Sequence, residues 1–222
     1  MKRIIKEYLD YPSEDRWPMP ENWDWFQAFA AQGTGKRPGT DGVVPEMLRN
    51  LPMRAKIHLA TIMRDRFEGG LHLRPTEWEE IIMQCIPKEG SSRELDKWRW
   101  IALTSVLQKA FLRPVVELMN EHRLALSVHV YGFRPGCSCA LISELIRTTV
   151  HKASAFGMTC YIMSADIKRA FQGITHEWAQ RAMIRFRVPA QLRIVLLEEL
   201  TGLRCSAALP GTNPSQFCPY TK

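Results

Sequence analysis

The sequence predicts an α+β fold, and three observations carry that prediction. Apolar residues recur mostly at helical spacing, as in Met53, Ile57, Ala60, Met63 and Phe67. Only two short runs have strand character, Glu80–Ile86 and the segment ending at Tyr161-Ile162-Met163. No internal repeat or regular strand–helix alternation organises the chain, so helices outnumber strands without the βαβ rhythm of a parallel sheet.

The elements follow in order. Residues 1–34 form a Trp- and Pro-rich arm with one short helix near Trp23–Ala31. Gly33-Thr-Gly-Lys-Arg-Pro-Gly39 is a flexible basic loop, and Pro-Gly and Asp-Gly make Arg37–Val43 a turn with a structural role. Pro45 suits the first turn of a helix, Pro52 interrupts it, and Gly69-Gly70 ends the next helical run. A helix from Thr104 to about Arg123 contains Pro114, which cannot donate its backbone hydrogen bond and should kink it. Ser138 or a neighbour caps a helix to about Ala153, Thr175 caps another with Glu177 in its first turn, and a last one runs from about Pro189 to Leu203. Glu198 and Glu199 are expected on a solvated face of that last helix.

Composition narrows the function class. The chain has 222 residues and 45% hydrophobic content, enough for a core, and a net charge of +7. Residues 35–222 hold 26 basic against 17 acidic side chains, so the excess lies in the body of the chain and favours polyanions. The six cysteines form no Cys-x-x-Cys pair and no zinc-like cluster with histidine. Together with the lack of a signal-peptide core or membrane span, this predicts a soluble intracellular protein, in cytoplasm or nucleus, without membrane association.

Three motifs carry the chemistry. In Tyr161-Ile-Met-Ser-Ala-Asp-Ile-Lys-Arg-Ala-Phe171, an apolar run read as a short buried strand ends at Asp166. A carboxylate there stays ionised and can bind a hard cation such as Mg²⁺ through oxygen. In Ile86-Pro-Lys88 and Asp96-Lys-Trp-Arg-Trp-Ile-Ala-Leu103, a strand delivers Lys88 at its end and a loop returns Arg99 beside the next apolar run. Such cations suit a triphosphate, Arg as a planar fork and Lys as a point charge. In Tyr131-Gly-Phe-Arg-Pro-Gly136, Arg134 sits on a tight turn before a helix, where cationic side chain and helix amides suit a phosphate backbone.

Together these strings resemble the reverse transcriptase domain of non-LTR retrotransposons and group II introns, over about residues 34–215. The resemblance implies polymerase fingers and a partial palm of the right-hand type: an N-terminal arm over 1–34, a fingers-like region over 35–157 and a palm truncated within 158–222. It implies an RNA-directed DNA polymerase lineage using two-metal nucleotidyl transfer, with RNA template, DNA primer and dNTP as partners. Asp166 is then the catalytic metal ligand, with the backbone carbonyl of Ile167 beside it. Lys88 and Arg99 hold the triphosphate, Phe171 excludes a 2′-hydroxyl, and Arg134 and Gly136 guide the template.

Departures from the family pattern are Trp100 for the usual Pro, Cys137 for a basic residue, Cys139 for Thr and Gln172 for Asp. Asp166 is the last aspartate in the chain, and no Tyr/Phe-x-Asp-Asp string follows it. The chain is therefore expected to be inactive alone. A non-catalytic nucleic-acid-binding remnant is the alternative. An RNA-directed RNA polymerase ranks below both, because bulky Phe171 leaves little room for a ribose hydroxyl.

Overall fold

The computed structural model describes residues 17–69, 74–87, 98–121, 129–134, 136–167, 170–209, 214–215 and 218–219, with the backbone alone at 171 and 172. Helices α1 (Asn22–Ala30), α2 (Pro45–Arg49) and α3 (Met53–Gly69) come first, followed by a 3₁₀ turn, Thr76–Glu79. Strands β1 (Glu80–Pro87) and β2 (Trp98–Leu103) precede α4 (Val106–Glu121), α5 (Cys139–Ala155), the short α6 (Ala170–Gly173), α7 (His176–Arg185) and α8 (Ala190–Leu200). Strands β3 (Arg204–Ala208) and β4 (Cys218–Pro219) complete a mixed α/β architecture.

The core is helical. Ala60, Met63 and Phe67 line one face of α3, and Val106, Ala110, Phe111, Val115 and Leu118 line one face of α4, at the spacing that turns a helix stripe inward. Helix α1 joins them through Trp25, Ala28 and Phe29, all fully buried. Trp25 packs edge-on to Phe67 with ring centroids 6.4 Å apart. Pro114 lies inside α4 and cannot bond the Ala110 carbonyl; one position on, the Trp25 indole donates to the Phe111 carbonyl at 3.4 Å.

The sheet is small and mixed, in the order β2-β1-β3-β4. β1 runs antiparallel to β2 and parallel to β3, while β3 runs antiparallel to β4. Among the described residues no helix is long and apolar enough to cross a membrane.

Beyond strands β2, β3 and β4, which lie outside the two runs expected as strands, two expectations fail. Glu198 and Glu199 are buried, each 4% exposed, because α8 turns the line Leu192, Val195, Glu199 into the core. Glu199 pairs there with Arg66 of α3 and accepts a 2.6 Å hydrogen bond from Gln108 of α4. The remaining guanidinium N–H groups of Arg66 have no oxygen partner; its Cζ stands 5.2 Å from the Trp78 ring centroid and 5.0 Å from that of Phe111. The second failure is the strand at Tyr161–Met163. These residues are irregular, and Tyr161 and Met163 are 92% and 91% exposed. No strand among the described residues lies beside them, and an extended segment without a lateral partner leaves its backbone groups to water.

Candidate nucleotide and template site

The β1–β2 hairpin positions the first cationic group. Ile86 is opposite Arg99 and Pro87 opposite Trp98, so Arg99 returns beside the end of β1, two residues before Lys88 in sequence. Arg99 is exposed; Lys88 and Asp96 lie outside the described residues. Gln84, Ile86 and Arg99 share one face of the hairpin, because side chains alternate along each strand and opposed residues point the same way.

That face gains a second guanidinium which the motif reading did not single out. Arg37 Nη1 donates to Gln84 Oε1 at 3.0 Å, while Gln84 Nε2 donates to the Ala208 carbonyl at 3.2 Å. The basic loop is also fixed at Gly35, whose N–H donates to Glu46 Oε1 at 2.7 Å and holds that carboxyl below its usual range. The only sequence signal for Arg37 is its place between the basic loop and the Pro-Gly turn.

The Asp-Gly turn has the structural role expected of it. Asp41 Oδ1 accepts from the Val43 amide at 3.2 Å, and its Oδ2 accepts from Ser105 Oγ at 2.5 Å. Ser105 Oγ in turn accepts from the amides of Leu107 and Gln108 at 3.1 and 3.3 Å, which makes it the N-cap of α4. Gly39 sits so close to this junction that a Cβ would lie 2.7 Å from the Ser105 nitrogen. Gly42 has φ +67°, the left-handed conformation that glycine adopts without penalty.

Residues 131–134 and 136–138 lie in turns before α5. Phe133 has φ +58° and is 92% exposed, and Gly136 has φ +77°. Arg134 Nη1 folds back to the Val130 carbonyl at 3.2 Å, and the Arg134 carbonyl accepts from the Cys137 amide. An exposed aromatic in a left-handed conformation costs backbone energy.

Asp166 and Ile167 lie on the exposed irregular segment before α6, and Ile167 is 76% exposed. The backbone of Phe171 is in α6, and its side chain lies outside what is described. Among the described residues no hydrogen bond or ion pair joins Asp166 to another side chain, and no group of three or more His, Cys, Asp or Glu is arranged to hold a metal. The described donor set therefore does not by itself fit a two-ion site, which needs several carboxylates around ions roughly 3.5–4 Å apart.

Helix α5 is equally uncovered. Only Ala153 is buried, while Leu141, Leu145, Ile146 and Val150 are exposed, as are Tyr161, Ile162 and Met163 beyond it.

Residues 86–215 match the family model described as reverse transcriptase (RNA-dependent DNA polymerase). The chain is 30% identical over 148 residues to a probable RNA-directed DNA polymerase from transposon BS of Drosophila melanogaster, covering 64% of this chain and 16% of that protein. It is 23% identical over 186 residues to the retrovirus-related Pol polyprotein of type-1 retrotransposable element R2 from Popillia japonica, covering 82% and 24%. A 149 kDa protein of transposon TX1 from Xenopus laevis is 24% identical over 155 residues, covering 68% and 12%. The chain thus spans less than a quarter of the length of each of these relatives.

Proposed function

Because this chain belongs to the reverse transcriptase (RNA-dependent DNA polymerase) family, we propose that it supplies the fingers and the first part of the palm of a retrotransposon polymerase. Residues 1–34 form an N-terminal arm, 35–157 the fingers-like region, and 158–222 a partial palm. The observation that carries this reading is the order of parts inside the matched span. Arg99 on the β1–β2 hairpin, Arg134 before α5, and Asp166 follow one another within residues 86–215.

Each part has a task in this reading. Lys88 and Arg99 neutralise the phosphates of a dNTP, Lys as a point charge and Arg as a fork. Arg134 and the backbone at Gly136 contact the RNA template, and Phe171 closes the sugar side of the nucleotide against a 2′-hydroxyl. Asp166, with the carbonyl of Ile167, offers oxygen ligands suited to Mg²⁺, which in polymerases neutralises developing phosphate charge. Further carboxylates are required beside Asp166, and in this reading they come from polypeptide that covers the apolar surface of α5 and residues 161–167. Exposed apolar side chains such as Leu141, Leu145, Ile146 and Val150 on α5 suit a contact face. The 222-residue chain by itself binds primer–template without extending it, as a soluble protein inside the cell.

A second reading, a nucleic-acid-binding module without catalysis, is favoured by the lack of a metal-holding cluster among the described residues. Both readings require binding, which a salt titration with an RNA–DNA hybrid measures. Affinity should fall steeply with salt and weaken on Arg99→Ala. Binding indifferent to salt would overturn both readings.

A further inference from the structure

We propose that Cys205 and Cys218 form a cross-strand thiol pair that closes to a disulfide on oxidation, stapling β4 to β3. The inference goes beyond the polymerase reading and does not depend on it. The two residues are direct partners in the antiparallel register, next to the pair Arg204 and Pro219. Directly opposed residues of an antiparallel pair place their side chains on the same face, with Cα atoms about 4.5 or 5.5 Å apart according to the hydrogen-bonding site. Both separations fall within the ~4.4–6.8 Å that a disulfide spans. Pro219 has no N–H, so Arg204 and Pro219 cannot exchange two backbone bonds; this points to the wider spacing for the cysteines.

The other cysteines do not share this arrangement. Cys85 is buried in β1, Cys137 and Cys139 flank the start of α5, and Cys160 lies on the exposed segment after it. All six are thiols in the structure.

The reaction needs a small disulfide, such as oxidised glutathione, as oxidant. Cys218 is exposed and is the attacking thiolate; burial pushes the Cys205 thiol up and makes it the slower partner. Cys218 attacks one sulfur of the reagent, breaking its S–S bond and releasing one thiol. Cys205 then attacks the Cys218 sulfur of the mixed disulfide, forming the protein S–S bond and releasing the second thiol. Two protein thiols are oxidised and one small disulfide is reduced to two thiols.

β4 is a two-residue edge strand, and Ser215 already ties this region to β3. Its N–H donates to the Ala207 carbonyl at 2.9 Å, and its Oγ accepts from the Ala207 N–H at 3.0 Å. A covalent link at 205–218 would hold the sheet edge beside β3, whose Ala208 carbonyl anchors Gln84.

The test is oxidation of the folded chain with oxidised glutathione, followed by peptide mapping under non-reducing conditions. The expected result is one dominant peptide linking Cys205 to Cys218, unaffected by protein dilution, removed by dithiothreitol and replaced by a glutathione adduct at Cys205 or none in Cys218→Ser. The same oxidation in strong denaturant should lose that preference and raise links between cysteines close in sequence, such as Cys137 and Cys139. Separate glutathione adducts on Cys205 and Cys218 without the linked peptide, or equal yields of the linked peptide in folded and denatured chain, would overturn the proposal.

Discussion

Ser105 donates its hydroxyl proton to Asp41 at 2.5 Å while capping the first amides of α4. The Asp-Gly turn and the helix that follows the β1–β2 hairpin are therefore joined through one hydroxyl. The carboxylate sits behind the positive end of the helix, where negative charge is stabilising. Ser105→Ala should lower stability by about 0.5–2 kcal/mol, the usual cost of losing such a cap. Asp41→Ala should cost a similar amount, and the double variant less than the sum, because both remove one network. Urea unfolding of the four proteins measures the coupling; strict additivity would show that the two side chains act independently.

Gly39 packs against the same junction. A Cβ there would meet backbone, 2.7 Å from the Ser105 nitrogen and 2.8 Å from the Thr104 carbonyl carbon. Gly39→Ala should destabilise by roughly 1–3 kcal/mol, the range of overpacking in a tight site. Gly42→Ala tests a different cause, since no atom lies within 4 Å of its Cβ position and only its φ of +67° resists substitution. Unfolding midpoints should fall for both, and further for Gly39→Ala.

The Arg66–Glu199 pair ties α3 to α8, and Gln108 brings in α4. Glu199→Ala leaves a buried guanidinium without its counter-charge and should cost about 3–5 kcal/mol. Replacing both charges, as Arg66→Met with Glu199→Leu, should recover much of that loss, since a buried pair repays its own desolvation poorly. Thermal unfolding of the single and double variants checks this.

Much of the helical order was legible in the sequence, since the apolar spacing of α3 and α4 and the Thr175 cap, which accepts from the Trp178 amide, are local signals. Strand β1 was legible for the same reason, whereas β2 was legible only as an apolar run to which a loop returns Arg99. Glu199 was not, because its partner is 133 residues away and adjacent acids ordinarily face water. Its place on the line from Leu192 and Val195 was the available hint. Tyr161–Met163 has strand composition, yet composition does not supply the neighbouring strand that pairing needs. Among the candidate site residues, Arg99 has a placed backbone register, whereas Lys88 falls outside the described residues and Asp166 lies on exposed chain.

The Glu46 carboxyl is held below its ordinary value of 4.5 chiefly by the Gly35 N–H. A carboxylate whose folded value is depressed stabilises the fold above its unfolded value, and that contribution disappears as pH falls through the folded one. Protection of the Gly35 amide from exchange should therefore persist at neutral pH and decline below about 4.5. Glu46→Gln should reduce the neutral-pH protection and remove its dependence on acid. Identical pH profiles in the two proteins would assign the ordering of the loop to another group.

Arg99 is exposed on the hairpin face that Arg37 also reaches. Removing one phosphate contact should lower the slope of log affinity against log salt by about 0.7 on a single strand. Arg99→Ala and Arg37→Ala should each show that decrease with little change in stability. Unchanged slopes for both would place the nucleic acid elsewhere on the molecule.

Magnesium-dependent primer extension by a chimera tests the role of Asp166 most directly. In it, residues 86–215 replace the corresponding segment of the transposon BS polymerase from Drosophila melanogaster, the relative that is 30% identical to this chain. The account predicts extension by the chimera and none by the 222-residue chain alone. Asp166→Asn, which keeps the shape and removes the charge, should lower extension by the chimera on the order of 10³-fold or more while hybrid binding persists. Undiminished extension by the Asn variant would contradict the assignment of Asp166 as the catalytic carboxylate.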